Sequence, residues 1–355
     1  MNTNPRPFRI ADRAIGPAHP AYCIAEVGIN HNGDLALAMQ MVDVARRAGA
    51  DAVKFQTFKA EEFCGDLTQT HSYRSQGHAV TENMLAMFKR HEFAPAQWAA
   101  LKRHCDEIGI TFFSTPQNRS DLDLLLGIGV PAIKIGSDDF NNLPLLRDYS
   151  ATGLPLILSC GMADLAEVHR SLETAGWFEG RELVLLLCTS QYPTPPADAN
   201  LRKLSTLQQA FPGLLVGFSD HTQGPQAASL AVALGARVFE KHFTLDKNLA
   251  GPDHWFSDDE AGLTEWVAGI RNADALLGSA IVRPTAAERE MRKVARRSVV
   301  ALRDVAEGEV LSPANVGLRR PGDGLPPEMF ERLLGMTASR RIAAGARVAL
   351  QDLRG

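Results

Sequence analysis

The stretch TFFSTPQNRSDLDLLLGIGVPAIKIG, residues 111–136, contains the unit on which the predicted fold depends. A short apolar run at residues 111–114 precedes a helical pattern at 120–127, and a second apolar run follows at 132–136. Short strands that alternate with helices pair in parallel, because the helix returns the chain to the same end of the sheet. This stretch therefore predicts a strand–helix–strand unit of a parallel α/β fold.

Eight apolar runs of this kind are spaced along the chain, with helical patterns between most of them. They occupy residues 22–25, 52–56, 111–114, 132–136, 155–159, 183–188, 216–218 and 238–241. Eight strand–helix units are the content of a (β/α)8 TIM barrel. An open, doubly wound sheet is the alternative, but it usually carries a glycine-rich phosphate turn, and no G-x-G-x-x-G or G-x-x-x-x-G-K motif follows any of the runs. We therefore predict an α/β TIM barrel.

Composition and charge exclude several classes of protein. The chain has 37 basic and 41 acidic residues, so its formal net charge is −4, and 45% of its residues are hydrophobic. That apolar content predicts a folded core. A mildly acidic chain lacks the basic balance of nucleic-acid-binding proteins. No run approaches the ~18 apolar residues that span a bilayer, and the start of the chain has no secretory pattern. We expect no nucleic-acid or membrane partner and a cytoplasmic location.

The character of the sequence changes near residue 283, which predicts a domain boundary. We assign the barrel to residues 1–283 and a charged linker to residues 284–297. Residues 298–355 contain short β-like runs and a weak repeat, in which the pattern at 305–316 recurs 37 residues later. They predict a small, mostly β domain. Because so small a domain has little core of its own, it would pack on the barrel or on a partner subunit.

The connection after the second predicted strand, residues 57–93, is long and polar. Long loops in compact domains usually have a function. Because this connection follows a barrel strand, we expect it to lie over the C-terminal mouth of the barrel, where TIM-barrel enzymes have their active sites.

Two lysines are predicted to point into the barrel. Side chains alternate along a strand, and the apolar neighbours of Lys54, Gln56 and Lys134 would face the helices, so these three would face the interior. A buried lysine is unfavourable unless it meets an anion. A structural ion pair is the alternative for either lysine alone, but the two together predict a phosphate or carboxylate site.

Polar residues at other strand ends extend this site. The same alternation turns Glu26 inward, where it would balance a lysine or bind a substrate group. Ser137, Ser159 and Ser190 lie at or just after the fourth, fifth and sixth predicted strands. Hydroxyl groups next to lysines are common phosphate ligands.

Two histidines end neighbouring strands and predict a metal site. His221 follows the seventh predicted strand and His242 the eighth, so both rings could reach one cation. Imidazole suits Mn, Fe, Co, Ni or Zn better than Ca. A lone strand-end histidine is more often structural, but a pair beside lysines and a glutamate favours a metal. Asp220, Glu240 and Asp253 would then hydrogen-bond to the ligands.

Taken together, the motifs at the strand ends resemble those of the sialic acid (nonulosonate) synthases. They are residues 25–33 (AEVGINHNG), 53–58 (VKFQTF), 114–116 (STP), 134–137 (KIGS), 188–190 (CTS), 192–195 (YPTP), 218–222 (FSDHT), 240–244 (EKHFT) and 251–254 (GPDH). Residues 298–355 resemble the antifreeze-like (SAF) C-terminal domain of that family. The stretches VKFQTFKAEE and CTSQYPTP are more similar to the neuraminate and legionaminate branches than to the pseudaminate branch.

The resemblance implies a transferase reaction. Phosphoenolpyruvate would condense with an N-acylamino hexose, such as N-acetylmannosamine, to give a nine-carbon 2-keto acid and phosphate. The resemblance places phosphoenolpyruvate on Lys54 and Lys134. It places further substrate contacts on Gln56, Thr115, Ser137, Ser159 and Ser190.

The resemblance also implies a cofactor. His221 and His242 would bind a divalent cation, with Mn²⁺ favoured and Mg²⁺ or Co²⁺ as alternatives, and this cation would coordinate the aldehyde oxygen of the sugar. Glu26 and Asp139 take catalytic positions, with Glu26 beside the sugar or the attacking water.

Three further positions follow from the same resemblance. Tyr192 and Asp253 correspond to substrate-binding residues. Arg320 would reach into the site of a partner subunit and contact the N-acyl group of the sugar. That contact implies a domain-swapped homodimer.

The sequence departs from the family pattern near the predicted condensation site. Asp138 and Asp139 stand where many members have glycine and glutamate, and Gln117 replaces a phenylalanine. Ser190 stands where some members have asparagine. These changes leave the identity of the sugar open. Two alternatives to a nonulosonate synthase also remain: another metal-dependent aldolase or phosphoenolpyruvate-condensing synthase with a five-carbon acceptor, and a catalytically silent sugar-binding paralogue.

Overall fold

The computed structural model describes residues 8–354. The chain divides into two compact units, Met1–Gly278 and Ser279–Gly355. The described strands of the first unit are β1 (Phe8–Ile10), β2 (Arg13–Ile15), β3 (Tyr22–Gly28), β4 (Ala52–Thr57), β5 (Thr70–Ser75), β6 (His78–Asn83), β7 (Thr111–Pro116), β8 (Ile133–Ile135), β9 (Leu156–Ser159), β10 (Leu183–Cys188), β11 (Leu215–Ser219) and β12 (Val238–His242). Its described helices are α1 (Leu35–Arg47), α2 (Ala60–Phe63), α3 (Met84–Lys89), α4 (Pro95–Ile108), α5 (Arg119–Ile128), α6 (Leu143–Ala151), α7 (Leu165–Thr174), α8 (Pro196–Ala199), α9 (Lys203–Ala210), α10 (Gln226–Ala233) and α11 (Glu260–Leu277).

Eight parallel strands form one sheet, in the order β7–β4–β3–β12–β11–β10–β9–β8. Each apolar run predicted as a strand is one of these eight, and α1, α4, α5 and α10 are helices predicted between them. The sheet curls until its end strands β7 and β8 lie beside each other, which makes a nearly closed barrel. The predicted α/β TIM barrel is confirmed.

The helices surround the barrel because one side of each is apolar. In α1 the buried side chains Ala38, Met41, Val42 and Ala45 recur at the helical spacing and join the cluster between helices and strands. The carboxylate of Asp34 caps the start of this helix by accepting hydrogen bonds from the first exposed backbone N–H groups. The helix is thereby held at the mouth-side end of β3.

Alternation along the strands separates two apolar layers. Val53, Phe55, Ile133 and Ile135 belong to the outer layer between strands and helices, as predicted. The inner layer fills the N-terminal half of the barrel with Tyr22, Ile24, Ala52, Phe113, Ala132, Ile157, Val184, Leu186, Leu215 and Val238. The polar residues that follow on the same inward face are therefore left at the C-terminal half, where the cavity lies.

An N-terminal hairpin, which the sequence analysis does not anticipate, contributes to the inner layer. Strands β1 and β2 pair antiparallel, and Phe8, Ile10 and Ile15 belong to the same apolar cluster as the inward residues of the barrel. These side chains cover the N-terminal end of the barrel interior. The barrel core is thus completed by residues outside the eight strands.

We expect Ile10→Ala to lower the free energy of unfolding by about 2–5 kcal/mol, because it opens a cavity in a fully buried cluster. Arg9→Ala is the matched control, since Arg9 is exposed on the same strand, and we expect it to change stability by less than about 0.5 kcal/mol. Urea unfolding measures both. Equal stabilities of the two variants would show that the hairpin is not part of the core.

The connection at residues 57–93 is more ordered than the predicted loop. It contains α2, the antiparallel hairpin β5–β6 and α3. Gln76 and Gly77 form the hairpin turn, and both have positive φ, at 51° and 82°. A two-residue turn with two positive φ angles is typical of tight hairpins. The strands were missed because their side chains are mostly exposed and polar, so no apolar alternation marks them.

The second unit has its own small core. Its described elements are α12 (Ala286–Ala295), β13 (Ser298–Ala301), β14 (Val316–Arg319), α13 (Phe330–Leu333), β15 (Thr337–Ala338), β16 (Leu353–Arg354) and two 3-10 turns at Pro327–Met329 and Leu350–Asp352. Val305 and Ile342 occupy matching positions of the predicted repeat. They form an antiparallel β-bridge and belong to one apolar cluster. The small antiparallel sheets agree with the predicted mostly β domain, while the segment predicted as a linker contains α12.

The helices within residues 8–354 do not meet the requirements of a membrane span. None of them combines the length and the apolar character that crossing a bilayer requires.

Candidate active site

Two lysines and two glutamates form the floor of a cavity at the C-terminal ends of the barrel strands. Lys54 and Lys134 are only 3% and 2% exposed. Lys54 Nζ lies 2.9 Å from Glu26 Oε1 and 3.9 Å from Glu240 Oε2, and Lys134 Nζ lies 3.6 Å from Glu240 Oε1. Both lysines therefore point inward, as the alternation of β4 and β8 predicts.

Burial and proximity shift the protonation of these groups. Burial raises the pKa of Glu26 to about 7, although Lys54 works in the opposite direction. Burial also lowers the pKa of Lys134, whereas Glu240 and Glu26 outweigh burial at Lys54 and hold its pKa above the ordinary value. Glu26 can therefore exchange a proton near neutral pH, while Lys54 stays charged.

The carboxylates leave hydrogen-bonding capacity at the floor. Glu26 Oε2 and Glu240 Oε2 are buried, and neither has a hydrogen-bond partner within residues 8–354. Gln56 Nε2 donates to Glu26 Oε1 at 3.3 Å. Buried polar atoms are nearly always paired, so the free oxygens indicate a place for a ligand or water.

Hydroxyl groups surround the lysines. Lys54 Nζ donates to Thr115 Oγ1 at 3.2 Å, and Lys134 Nζ donates to Ser159 Oγ at 2.8 Å. These bonds align donors from β4, β7, β8 and β9 along one side of the cavity. The arrangement can bind the oxygens of a phosphate or carboxylate group.

A glycine after β9 makes room for two further hydroxyls. Gly161 N donates to Ser137 Oγ at 3.0 Å. A Cβ atom at Gly161 would lie 2.4 Å from Ser190 Oγ and 2.7 Å from Ser137 Oγ, so any side chain there would displace them. Ser190 Oγ is buried and unpaired among the residues that the structure describes. The three residues form an open cradle for an anionic ligand.

The two histidines lie next to each other at the rim of the floor. The ring centroids of His221 and His242 are 5.4 Å apart, and the ring of Tyr192 lies 4.2 Å from that of His221 at an interplanar angle of 40°. His221 Nδ1 donates to the carbonyl of Thr189 at 2.8 Å, so Nε2 is the ring nitrogen that could bind a cation. The predicted proximity of the two imidazoles is found.

The donor set of this pair fits a divalent cation. His242 Nδ1 is buried without a hydrogen-bond partner in the described part of the chain. Burial holds the pKa of His242 well below its ordinary value, so the ring is in the neutral form that binds metals. No group of three or more His, Cys, Asp or Glu side chains within residues 8–354 is arranged around one metal position. The protein would therefore supply two imidazoles, and the other ligands would come from substrate or water.

The mouth of the cavity has an aromatic wall. Phe58, Phe63 and Phe88 line it, with Phe88 packed edge-to-face on the other two at 5.2 and 5.0 Å. These residues come from the connection at 57–93, which also contributes His71. The connection thus contributes to the lining of the cavity, which agrees with the expectation that it lies over the barrel mouth.

The cavity has a volume of about 400 Å³, which is the size of a small-molecule site. It brings together most of the residues that the sequence analysis singles out. Those in the lining are Glu26, Lys54, Gln56, Thr115, Lys134, Ser137, Ser159, Ser190, Tyr192, His221 and His242. Charged, hydroxyl and imidazole groups from all eight strands or their ends thus meet in one place.

Comparison with known proteins identifies the chain. Residues 41–282 match the NeuB family, and residues 296–354 match the SAF domain. The chain belongs to the NeuB family. The N,N'-diacetyllegionaminic acid synthase of Legionella pneumophila is 39% identical to this NeuB-family chain over 334 residues, which cover 93% of this chain and 94% of that protein. Human N-acetylneuraminate-9-phosphate synthase is 35% identical, with 91% and 90% of the two chains covered.

A solved structure extends the similarity to three dimensions. The crystal structure of N-acetylneuraminic acid (sialic acid) synthetase from Leptospira borgpetersenii serovar Hardjo-bovis, in complex with citrate, matches this NeuB-family chain with a TM-score of 0.72 at 34% identity. The match covers 81% of this chain and 95% of the other. The relatives are sialic acid-type synthases. The family resemblance and the SAF domain predicted from the motifs are therefore confirmed.

Two predicted site residues are not among the residues that line this NeuB-family cavity, and a third belongs to the second unit. Asp139 Oδ1 accepts a hydrogen bond from Asn142 Nδ2 at 2.9 Å, next to α6, and Asp139 is not among the lining residues. Asp253 is also outside the lining, although its charge lies close enough to His221 to influence it electrostatically. Arg320 follows β14 in the second unit. Their predicted roles in this NeuB-family chain stay predictions.

The central position of Glu240 was not predicted. Its sequence position predicts a hydrogen bond to the metal-binding histidines, but its carboxylate lies between the two lysines. The signal was available, because Glu240 shares the inward face of β12 with His242. What the sequence does not show is that Glu240, on β12, reaches lysines on both β4 and β8.

Proposed function

We propose that this NeuB-family chain condenses phosphoenolpyruvate with an N-acylamino hexose, such as N-acetylmannosamine, to form a nine-carbon 2-keto acid and phosphate. One observation carries the proposal: two buried lysines and a pair of imidazoles line the same cavity. The lysines suit an anionic three-carbon ester, and the imidazoles suit a cation beside an aldehyde. The similarity to sialic acid-type synthases supports the same reaction.

Lys54 and Lys134 would bind the phosphate and carboxylate groups of phosphoenolpyruvate. Both are buried, so their attraction to an anion is weakly screened by solvent. Ser137, Ser190 and Gly161 would hold further oxygens in the cradle described above. Binding the ester at both ends would orient its C3 atom toward the acceptor, which lowers the entropic part of the barrier.

The acceptor would lie nearer the mouth, in its open-chain form. Tyr192 would stack beside it, and Gln56 would donate to one of its oxygens. A divalent cation on His221 and His242, with Mn²⁺ favoured over Mg²⁺ or Co²⁺, would act as a Lewis acid toward the aldehyde group. In this proposal the polarisation would occur beside the two imidazoles.

The proposed reaction would form one C–C bond and break the C–O bond to phosphate. The C3 atom of phosphoenolpyruvate bonds to the aldehyde carbon, and C2 becomes an oxocarbenium centre. Water adds to C2, and the C–O bond to phosphate breaks, which leaves the 2-keto group. Glu26, whose pKa is near 7, would accept one of the two protons that the water loses and pass it to the aldehyde oxygen, which becomes a hydroxyl, while the second proton leaves with the phosphate.

The second unit would complete the site in a homodimer. We propose that Arg320 of one subunit contacts the N-acyl group of a sugar bound to the other subunit. Asp253 would contact the same sugar near His221. We propose a cytoplasmic location, because phosphoenolpyruvate is a cytoplasmic metabolite.

We expect phosphate release only when phosphoenolpyruvate and an N-acylamino hexose are both present, and we expect chelation by EDTA to abolish it. The dependence on both substrates follows from attack before C–O cleavage, and the dependence on metal follows from the histidine pair. A colorimetric phosphate assay with N-acetylmannosamine and with the legionaminate- and pseudaminate-precursor hexoses tests this.

Three other outcomes would contradict the proposal. Turnover only with short phosphorylated aldoses would indicate a different phosphoenolpyruvate-condensing synthase. Tight sugar binding without phosphate release would indicate a silent paralogue. Full activity in EDTA, with no metal found by elemental analysis, would contradict the role of the histidines.

A further inference from the structure

Gln117 and Asp138 form a polar wall at the mouth of the cavity. Gln117 follows β7 and Asp138 follows β8, the two strands that meet where the sheet closes. Gln117 Nε2 donates to Asp138 Oδ2 at 3.4 Å. This contact turns the amide N–H₂ group toward the carboxylate and directs Gln117 Oε1 elsewhere.

The amide oxygen of Gln117 lacks a partner. Gln117 Oε1 is buried, and no hydrogen-bond donor within residues 8–354 reaches it. A buried acceptor without a donor is unfavourable, because it has lost its hydrogen bonds to water and gained none in return. A ligand that brings an N–H or O–H group to this position would recover part of that free energy, so the wall favours such a ligand.

The carboxylate of Asp138 is folded back over the end of β8. A Cβ atom at Gly136 would lie 2.1 Å from Asp138 Oδ1, so only a residue without a side chain allows this position. One amide N–H of Gln117 is directed to Asp138, so the group of this wall that lacks a partner among the described residues is an acceptor, Gln117 Oε1. This wall therefore suits a ligand group that donates a hydrogen bond. It does not suit the carboxylate or phosphate of phosphoenolpyruvate, which the lysines would bind.

The polar wall adjoins the aromatic wall. Gln117 N donates to the carbonyl of Thr57 at 3.0 Å, and the next residue in the chain is Phe58. A ligand that fits both walls would therefore carry a hydrogen-bond donor and an apolar surface close together. An N-acylamino group has both, because its N–H donates and its acyl methyl is apolar. A hydroxyl group would leave the aromatic surface without a partner.

We infer that Gln117 and Asp138 are specificity-determining residues that recognise the N–H of the acceptor sugar's acylamino group, with its methyl directed to the aromatic wall. The inference rests on the proposed function and extends it by assigning the selectivity for an amide. It concerns acceptor recognition alone, so phosphoenolpyruvate binding is unaffected.

The test compares N-acetylmannosamine with its ketone isostere, in which a methylene replaces the amide N–H. We expect the wild-type enzyme to prefer the amide by about 10-fold or more in kcat/KM, since a site with unpaired acceptors discriminates against a ligand that lacks the donor. Gln117→Met and Asp138→Asn should each raise the KM for the amide about 10-fold and leave the KM for phosphoenolpyruvate unchanged. Both variants should lower the ratio of kcat/KM for the amide to kcat/KM for the ketone toward 1.

Asp123→Asn, an exposed change on α5, is the matched control and should keep the wild-type preference. Melting temperatures close to that of the wild type would show that both variants fold, as expected for side chains at the mouth. Variants that retain the wild-type preference for the amide would overturn the inference while leaving the proposed function intact. A wild-type enzyme that turns over neither acceptor would instead overturn the proposed function, and the inference with it.

Discussion

Lys54→Met is expected to lower kcat/KM for phosphoenolpyruvate by roughly 10³-fold, which corresponds to about 4 kcal/mol. Lys54 is buried and is the charged donor closest to Glu26, with Thr115 as a further partner. Methionine keeps the bulk of the side chain but removes the charge that would pair with the bound anion. Steady-state phosphate release at varied phosphoenolpyruvate and saturating N-acetylmannosamine measures the change.

The effect should come from the lost charge and not from unfolding. Because the pKa of Glu26 is already near 7, Glu26 can take up a proton when its partner is removed, so the variant should stay folded. Lys102→Met is the control, since Lys102 pairs with Asp106 on α4, away from the cavity. An unchanged KM for phosphoenolpyruvate in Lys54→Met would rule out the proposed anion site.

His242→Ala is expected to weaken Mn²⁺ binding by about 100-fold or more and to lower kcat by a similar factor at a fixed Mn²⁺ concentration. The change removes one of two imidazole ligands and leaves no replacement donor at that position. It should cost little stability, because His242 Nδ1 has no hydrogen-bond partner among the described residues. Electron paramagnetic resonance of free Mn²⁺ measures affinity, and a thermal melt measures stability.

His104→Ala provides the comparison for this experiment. His104 Nε2 is hydrogen-bonded to Asp43 Oδ1 at 2.8 Å, where α4 packs on α1. Removing the His104 ring should therefore lower the stability of the fold and leave Mn²⁺ binding unaltered. If His242→Ala binds Mn²⁺ as the wild type does, or keeps full activity after chelation, the cation does not lie on the histidine pair. The proposed polarisation of the aldehyde would then be wrong.

Much of the candidate site could be predicted because barrel strands follow simple periodic rules. An apolar neighbour on either side of Lys54 or Lys134 is enough to turn the lysine inward. The same rule turns Glu26 inward on β3 and places His242 on the same face of β12 as Glu240. These predictions need only the sequence within a strand, and they agree with the side-chain directions in the structure.

Other features depend on distances between residues on different strands, which the sequence of a single strand does not determine. The sequence does not show that Glu240 contacts both lysines, because that depends on the relative shift of β4, β8 and β12. Nor does it show that Asp139 bonds to Asn142 while Asp138 stays in the lining. Two adjacent carboxylates after one strand look equivalent until the local turn is formed.

The sequence by itself determined the class of fold, the inward direction of the charged strand residues and the family, since each follows from local periodicity or from contiguous motifs. Tertiary structure alone decided which of those side chains meet: the shared glutamate between the lysines, the hairpin side chains in the barrel core, and the bond between Gln117 and Asp138. The physical reason is that pairing energies fall steeply with distance, and the distance between residues on different strands is set only when the barrel closes.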